Sequence, residues 1–145
     1  MAVKAIPDGY HSITPSLVAR DAAKLVTFMN EAFGAKERMR MPTPDGKIAH
    51  TELEIGDSVV MLSDATNEFP AQAGSLHLYV DNVDAVWDRA IKAGGKQQRP
   101  VQNQFYGDRS GVLIDPAGNQ WNISQHVEDV SDDEMAKRMK SMATA

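Results

Sequence analysis

Apolar residues recur at helical spacing in two places along the chain. Leu25, Phe28, Met29, Ala32 and Phe33 form one stripe, preceded by Asp21 as an N-cap and followed by Gly34, suited to a left-handed stop. Val83, Val86, Trp87, Ala90 and Ile91 form the other, capped by Asp81 or Asn82 and ended by Gly94. Around the first helix the pattern is extended over residues 13–19, 37–41, 48–55 and 58–63, and around the second over 76–80, 96–101, 109–114 and 120–126. Pro44-Asp45-Gly46, Gly56-Asp57, Tyr106-Gly107-Asp108 and Asp115-Pro116-Ala117-Gly118-Asn119 supply the turns between them. The element order is β-α-β-β-β, written twice.

Aligning Leu17-Val18-Ala19 with Leu78-Tyr79-Val80, or Gly56-Asp57 with Gly118-Asn119, gives nearly the same offset, so the copies match in length although few residues are identical. The predicted fold is α+β: two β-α-β-β-β modules, about residues 11–64 and 75–128, forming a curved mixed sheet around a central cleft. Residues 65–74 link them. Ser131-Asp132-Asp133-Glu134 reads as a capping box that starts a short C-terminal helix over about residues 131–142. Met135, Met139 and Met142 lie on one face of that helix, which is expected to pack on the body or on a dimer mate.

Successive strand residues point to opposite faces, and the apolar face must cover the helix. Leu76, Leu78 and Val80 therefore face the second helix, leaving His77 and Tyr79 on the other side. The same parity puts Ala49, Leu53 and Ile55 toward the first helix with His50, Glu52 and Glu54 opposite, and Trp121 and Ile123 inward with Asn122, Ser124 and His126 opposite. Polar residues so gathered on the concave side would line a ligand cleft.

Composition narrows the chemistry. The 145 residues are 42% hydrophobic and 24% charged, the balance of a folded domain and too apolar for global disorder. Twenty acidic against fifteen basic residues give a net charge of −5, and the basic residues are scattered, so nucleic acid is not an expected partner. The absence of cysteine removes disulfides, thiolate metal sites and cysteine nucleophiles. No apolar run reaches signal-peptide or membrane-span length, which leads to the expectation of a cytoplasmic protein without membrane partners. Ser58 lacks the second glycine of a nucleophile elbow, and no glycine-rich phosphate loop is present.

The duplicated plan, together with Glu31-Ala32-Phe33-Gly34-Ala35, His77-Leu78-Tyr79-Val80-Asp81-Asn82-Val83-Asp84 and the Asp115-Pro116-Ala117-Gly118-Asn119 turn, resembles the vicinal oxygen chelate superfamily. That group includes glyoxalase I, extradiol dioxygenases, fosfomycin-resistance enzymes and bleomycin-resistance proteins, and the chain is most similar to its uncharacterised bacterial glyoxalase-like branch. The resemblance covers roughly residues 9 to 130. It implies a metal held by one ligand from the first and one from the last strand of each copy. The equivalent positions are Ser16 and approximately Val60 in the first copy, and His77 and Asn122 in the second. Only His77 among them is a good ligand.

Two readings follow. One is a small-molecule enzyme of lyase, isomerase or dioxygenase type acting on an oxygen-bearing substrate, with His50, Glu52 and His77 as a rearranged site for one divalent metal (zinc, manganese or iron). In it Glu52 is alternatively the general base, Tyr106 and Arg109 orient substrate, and Ser16, Tyr79, Asn122 and Ser124 line the pocket. The alternative is a metal-free protein that binds or sequesters a small ligand, similar to bleomycin-resistance proteins. Exposed strand edges and the methionine-bearing tail predict a homodimer in either case.

Overall fold

A computed structural model describes residues 2–143. The first module comprises β1 (Ser16–Ala19), α1 (Ala22–Phe33), β2 (Lys36–Pro42), β3 (Ile48–Ile55) and β4 (Ser58–Asp64). The second comprises β5 (Ser75–Tyr79), α2 (Val83–Lys92), β6 (Lys96–Asn103), β7 (Asp108–Ile114) and β8 (Gln120–His126), and α3 (Asp132–Ala143) follows. The strand orders are β1-β4-β3-β2 and β5-β8-β7-β6, so the repeat holds in topology as well as in element order. In both sheets the first and last strands run parallel and the other neighbours antiparallel, making each sheet mixed.

The caps explain where the helices begin and end. Asp21 accepts the Lys24 N–H and Asn82 the Ala85 N–H, each satisfying a donor that the first helical turn leaves free. Gly34 ends α1 in the left-handed region at φ 67°, while α2 stops at Lys92, with Gly94 (φ 115°) turning the chain one residue beyond the Ala93 cap. Asp64 adds a long-range tie: its two oxygens accept the Ala22 N–H at 2.8 Å and the Ile48 N–H at 2.7 Å, fixing the starts of α1 and β3 to the end of β4. The serine half of the expected capping box forms, Ser131 Oγ accepting the Glu134 N–H at 3.2 Å. The Glu134 carboxylate turns instead to Arg138.

The two sheets are not hydrogen-bonded into one. The modules meet through α1 and α2 and through Phe33, whose ring centroid lies 4.6 Å from that of Trp121. Leu25, Phe28, Met29, Leu53 and Leu62 from the first module and Val83, Ala90, Leu113, Trp121 and Ile123 from the second form a single buried cluster. Each large side chain so buried contributes roughly 1.5–3 kcal/mol. The linker runs beside β1, pairing Gln72 with Val18, and reaches the second module where Gly74 N–H donates to Asn119 Oδ1 at 2.8 Å.

This packing uses up the helix-facing side of each sheet and leaves the other side uncovered. Every residue of β2 is exposed, as are most of β6, and both strands carry bulges, features that blunt a sheet edge. Among the described residues, no helix is long and apolar enough to cross a membrane.

Candidate functional site

The uncovered face of the first sheet is organised around Glu52. Its side chain is only 10% exposed, yet it faces away from the hydrophobic cluster. His50 Nε2–H donates to Glu52 Oε2 at 2.8 Å, Arg38 Nε lies 3.7 Å from Oε1, and the Tyr10 hydroxyl, from the segment before β1, also hydrogen-bonds the carboxylate. Arg38 stacks over the Tyr10 ring at 5.3 Å. The Tyr10 bond, followed by that from His50, outweighs desolvation and holds the Glu52 carboxyl below its ordinary 4.5. Tyr10 correspondingly has its phenol pushed up, chiefly by Glu52.

A second polar chain occupies the uncovered face of the other sheet. Asp108, buried at 4% exposure, accepts the Tyr79 hydroxyl at 2.9 Å and His126 Nδ1–H at 2.8 Å. The His77 ring lies against Tyr79 with centroids 4.9 Å apart. Ser124 Oγ donates to Asn122 Oδ1 at 3.1 Å, and Arg99 donates to the Ser110 carbonyl and hydroxyl at 3.1 and 2.9 Å. An open cavity of about 900 Å³ lies not on this face but along the edge of β5 and the first turns of α2, walled by Tyr79, Val86 and Arg89 and reaching Phe33 and the β3–β4 turn at Asp57.

The side expected from strand parity holds for His77, Tyr79, Asn122 and Ser124, which share one face of β5 and β8 in the register His77 opposite Asn122 and Tyr79 opposite Ser124. One register position changes. Ser16 pairs with Met61, the counterpart of the His77–Asn122 pair, whereas Val60 is buried toward the helix. The apolar run over residues 59–62 offers no alternation from which this could be read. The positions that the resemblance equates with metal ligands are therefore Ser16, Met61, His77 and Asn122: a hydroxyl, a thioether, an imidazole and an amide. That set has no anionic oxygen and does not suit a divalent transition metal.

The rearranged trio is also divided. His50 and Glu52 lie together on β3, His77 on β5 of the other sheet, and among the described residues no three His, Asp or Glu side chains gather in a metal-binding group. Arg109 is placed on the helix-facing side of β7, in register with Gln125, and its guanidinium grips Asp84 of α2 with Nε at 3.0 Å and Nη2 at 2.8 Å. It does not share a face with Asp108 or Ser110. Tyr106 sits in the β6–β7 turn, edge-on to Phe105, and acts electrostatically on Tyr79.

Sequence reasoning missed Tyr10, Arg38, Asp108 and Asp129 as parts of these faces, and left His126 on the concave side without a role. Alternation in β7 was the available signal for Asp108, since Gly111 and Leu113 mark the opposite parity. Nothing local announces Tyr10, which reaches Glu52 across the sequence.

A duplicated β-α-β-β-β chain with uncovered polar faces is the architecture of a small-molecule-binding fold. The sequence signature of the Glyoxalase/Bleomycin resistance protein/Dioxygenase superfamily matches residues 9–123, and the chain belongs to that family. An uncharacterized protein of Mycobacterium bovis is 38% identical over 141 residues, covering 90% of this chain and 93% of its own. Among solved structures, TioX from a Micromonospora species superimposes with a TM-score of 0.69 at 23% identity, over 81% of this chain and 99% of that one. A lactoylglutathione lyase from Agrobacterium tumefaciens does so at 0.60 with 21% identity, over 82% and 94%. At these identities the structural likenesses concern the fold.

Proposed function

We propose that the protein binds a small oxygen-bearing molecule against its polar sheet faces through hydrogen bonds, without a four-ligand metal centre, as a binding or sequestering member of its family. The carrying observation is the donor set Ser16, Met61, His77 and Asn122 at the positions that the resemblance equates with metal ligands. The state of Glu52 supports the same reading. A general base serves best with a pKa near the working pH, and a carboxylate held below 4.5 by Tyr10, His50 and Arg38 is a weak base and a good acceptor.

The cleft is completed in a homodimer. Each concave face alone is a half-site, with Tyr79 60% exposed and the neighbouring edge strands open. Pairing the first module of one copy with the second module of another would set Glu52 and His50 opposite His77 and Tyr79 and enclose a ligand between them.

The test combines elemental analysis of untagged protein by plasma mass spectrometry with a thermal-shift screen of small oxygen-bearing aromatic compounds, run with and without EDTA. The expected result is metal far below one atom per chain and stabilising compounds whose effect survives chelation. About one transition metal per chain, lost in His77→Ala, with stabilisation abolished by EDTA, would overturn this reading in favour of a His50, Glu52 and His77 enzyme site assembled across the dimer. Sedimentation as a monomer at micromolar concentration would remove the dimeric cleft.

A further inference from the structure

His126 closes β8 and makes two hydrogen bonds of unlike character. Its Nδ1 lies 2.8 Å from Asp108 Oδ1 and its Nε2 2.7 Å from Asp129 Oδ1. A carboxylate offers only acceptors, so both ring nitrogens must donate, and only the imidazolium carries two N–H groups. Asp108 and Asp129, bonding from opposite sides, favour that charged form.

The two carboxylates are held very differently. Asp108 is buried, and Tyr79 donates to its second oxygen, so it is a fixed part of the sheet face. The Asp129 side chain is fully exposed, lies in the irregular stretch between β8 and α3, and among the described residues has no other hydrogen bond. Its neighbour Glu128 is anchored by a two-pronged pair with Arg138 at 3.1 and 2.7 Å, and Asp129 hangs beyond that anchor. A cavity of about 440 Å³ opens beside His126, lined also by Tyr79, Val80, Asp81 and Gln125.

We propose that His126, backed by Asp108, is a carboxylate-binding subsite of the second module, and that Asp129 fills it from within until the carboxylate of a small ligand displaces it. The Asp129 contact shows what the imidazolium N–H accepts: an anionic oxygen at charge-assisted hydrogen-bond distance. Releasing Asp129 costs little, because a single contact to a fully exposed carboxylate is screened by solvent and contributes little to stability. Asp108 from β7 and Asp129 bond His126, Tyr79 from β5 shares the Asp108 carboxylate with it, and Asp81 just after β5 lies on the wall of the adjoining cavity. Asp81 on the cavity wall favours a ligand that carries a hydrogen-bond donor, a hydroxyl or ammonium group, beside its carboxylate. The preferred class is thus a small hydroxy or amino carboxylic acid. This deepens the small-molecule reading above by naming one end of the ligand.

The experiment titrates the wild-type protein and Asp129→Asn with sodium acetate while following the imidazole Cε1–H resonances of His126 and, as a control, His50. His126→Gln identifies the His126 signal, and variants at the other three histidines identify it by elimination should that protein not fold. In Asp129→Asn the His126 signal should shift saturably, at an acetate concentration about three- to fivefold lower than in the wild type, as expected when weakening a loosely held internal competitor raises the competent fraction by about that factor. The His50 signal should stay still. Equal midpoints in the two proteins, no saturable His126 shift in Asp129→Asn, or an equal response from His50 would overturn the subsite. A positive acetate titration alongside a failed aromatic screen overturns the cleft reading alone, and the reverse pair of results overturns the subsite alone.

Discussion

The Trp121 indole N–H donates to Asp115 Oδ2 at 2.8 Å in a wholly buried setting. The same carboxylate also accepts the Asn119 side-chain N–H at 2.9 Å, and its other oxygen accepts the backbone N–H groups of Ala117 and Asn119 at 2.8 and 3.0 Å. Four donors on one carboxylate tie the β7–β8 turn to the ring that touches Phe33.

Replacing Asp115 by Asn puts an amide donor where an acceptor is required, stranding buried N–H groups. Asp115→Asn should cost about 3 kcal/mol and lower the melting temperature by about 10 °C, measured by calorimetry.

Gly111 is a packing prediction of the opposite kind. A Cβ there would come within 2.7 Å of the Trp87 ring and 2.9 Å of Val101. Gly111→Ala should destabilise by about 1–3 kcal/mol through overpacking, read from the urea midpoint, and Trp87→Phe in the same chain should recover part of the loss.

Glu52 sets part of the acid limb of stability. Its pKa is lower folded than unfolded, so its contribution is complete above about 4.5 and is lost as pH falls through the folded-state value. Between about pH 5 and 3, the urea midpoint of Glu52→Gln should fall less steeply than that of the wild type. Tyr10→Phe, which removes the first cause of the shift, should give an intermediate slope.

His126 acts on the alkaline side. Asp108 first, then Asp129, holds its pKa above the ordinary 6.5, so its stabilisation is complete below about 6.5 and is lost as pH rises through the folded-state value. The wild type and His126→Gln should differ in urea midpoint at about pH 5.5 and converge by about pH 9.

Arg109 tests which face carries function. Its solvent-screened pair with Asp84 lies on the helix side, so Arg109→Ala should change the melting temperature little and leave the thermal shifts of bound compounds unchanged. A loss of ligand response in a folded Arg109→Ala protein would count against the assignment of the site to the opposite face.

The duplication, both helices and their caps, and the faces of β5 and β8 were legible because a sheet that packs on one helix must alternate. Alternation fails where a strand is apolar throughout, which is why Val60 stood in for Met61. It also says nothing of which sheet faces which. His50, Glu52 and His77 were each placed on a polar face, but alternation within a strand does not say that the two faces belong to separate sheets. Tyr10 and Asp129 reach their partners from outside the regular elements, and no periodicity records such contacts. Arg109 is a different case: the parity of Gly111 and Leu113 already assigned its side, and its nearness to Tyr106 in sequence drew it toward the cleft.

The shared cluster that joins Phe28, Phe33 and Leu53 to Trp87, Leu113 and Trp121 has a consequence for the molecule's history. Two copies that began as equals have become mutually dependent, each supplying a wall of the other's interior. Neither half cut from the chain would retain a closed interior, and the whole should melt in one cooperative step despite being written twice. Recombination that exchanged a single half with a relative would therefore have to carry across the residues at the Phe33–Trp121 seam.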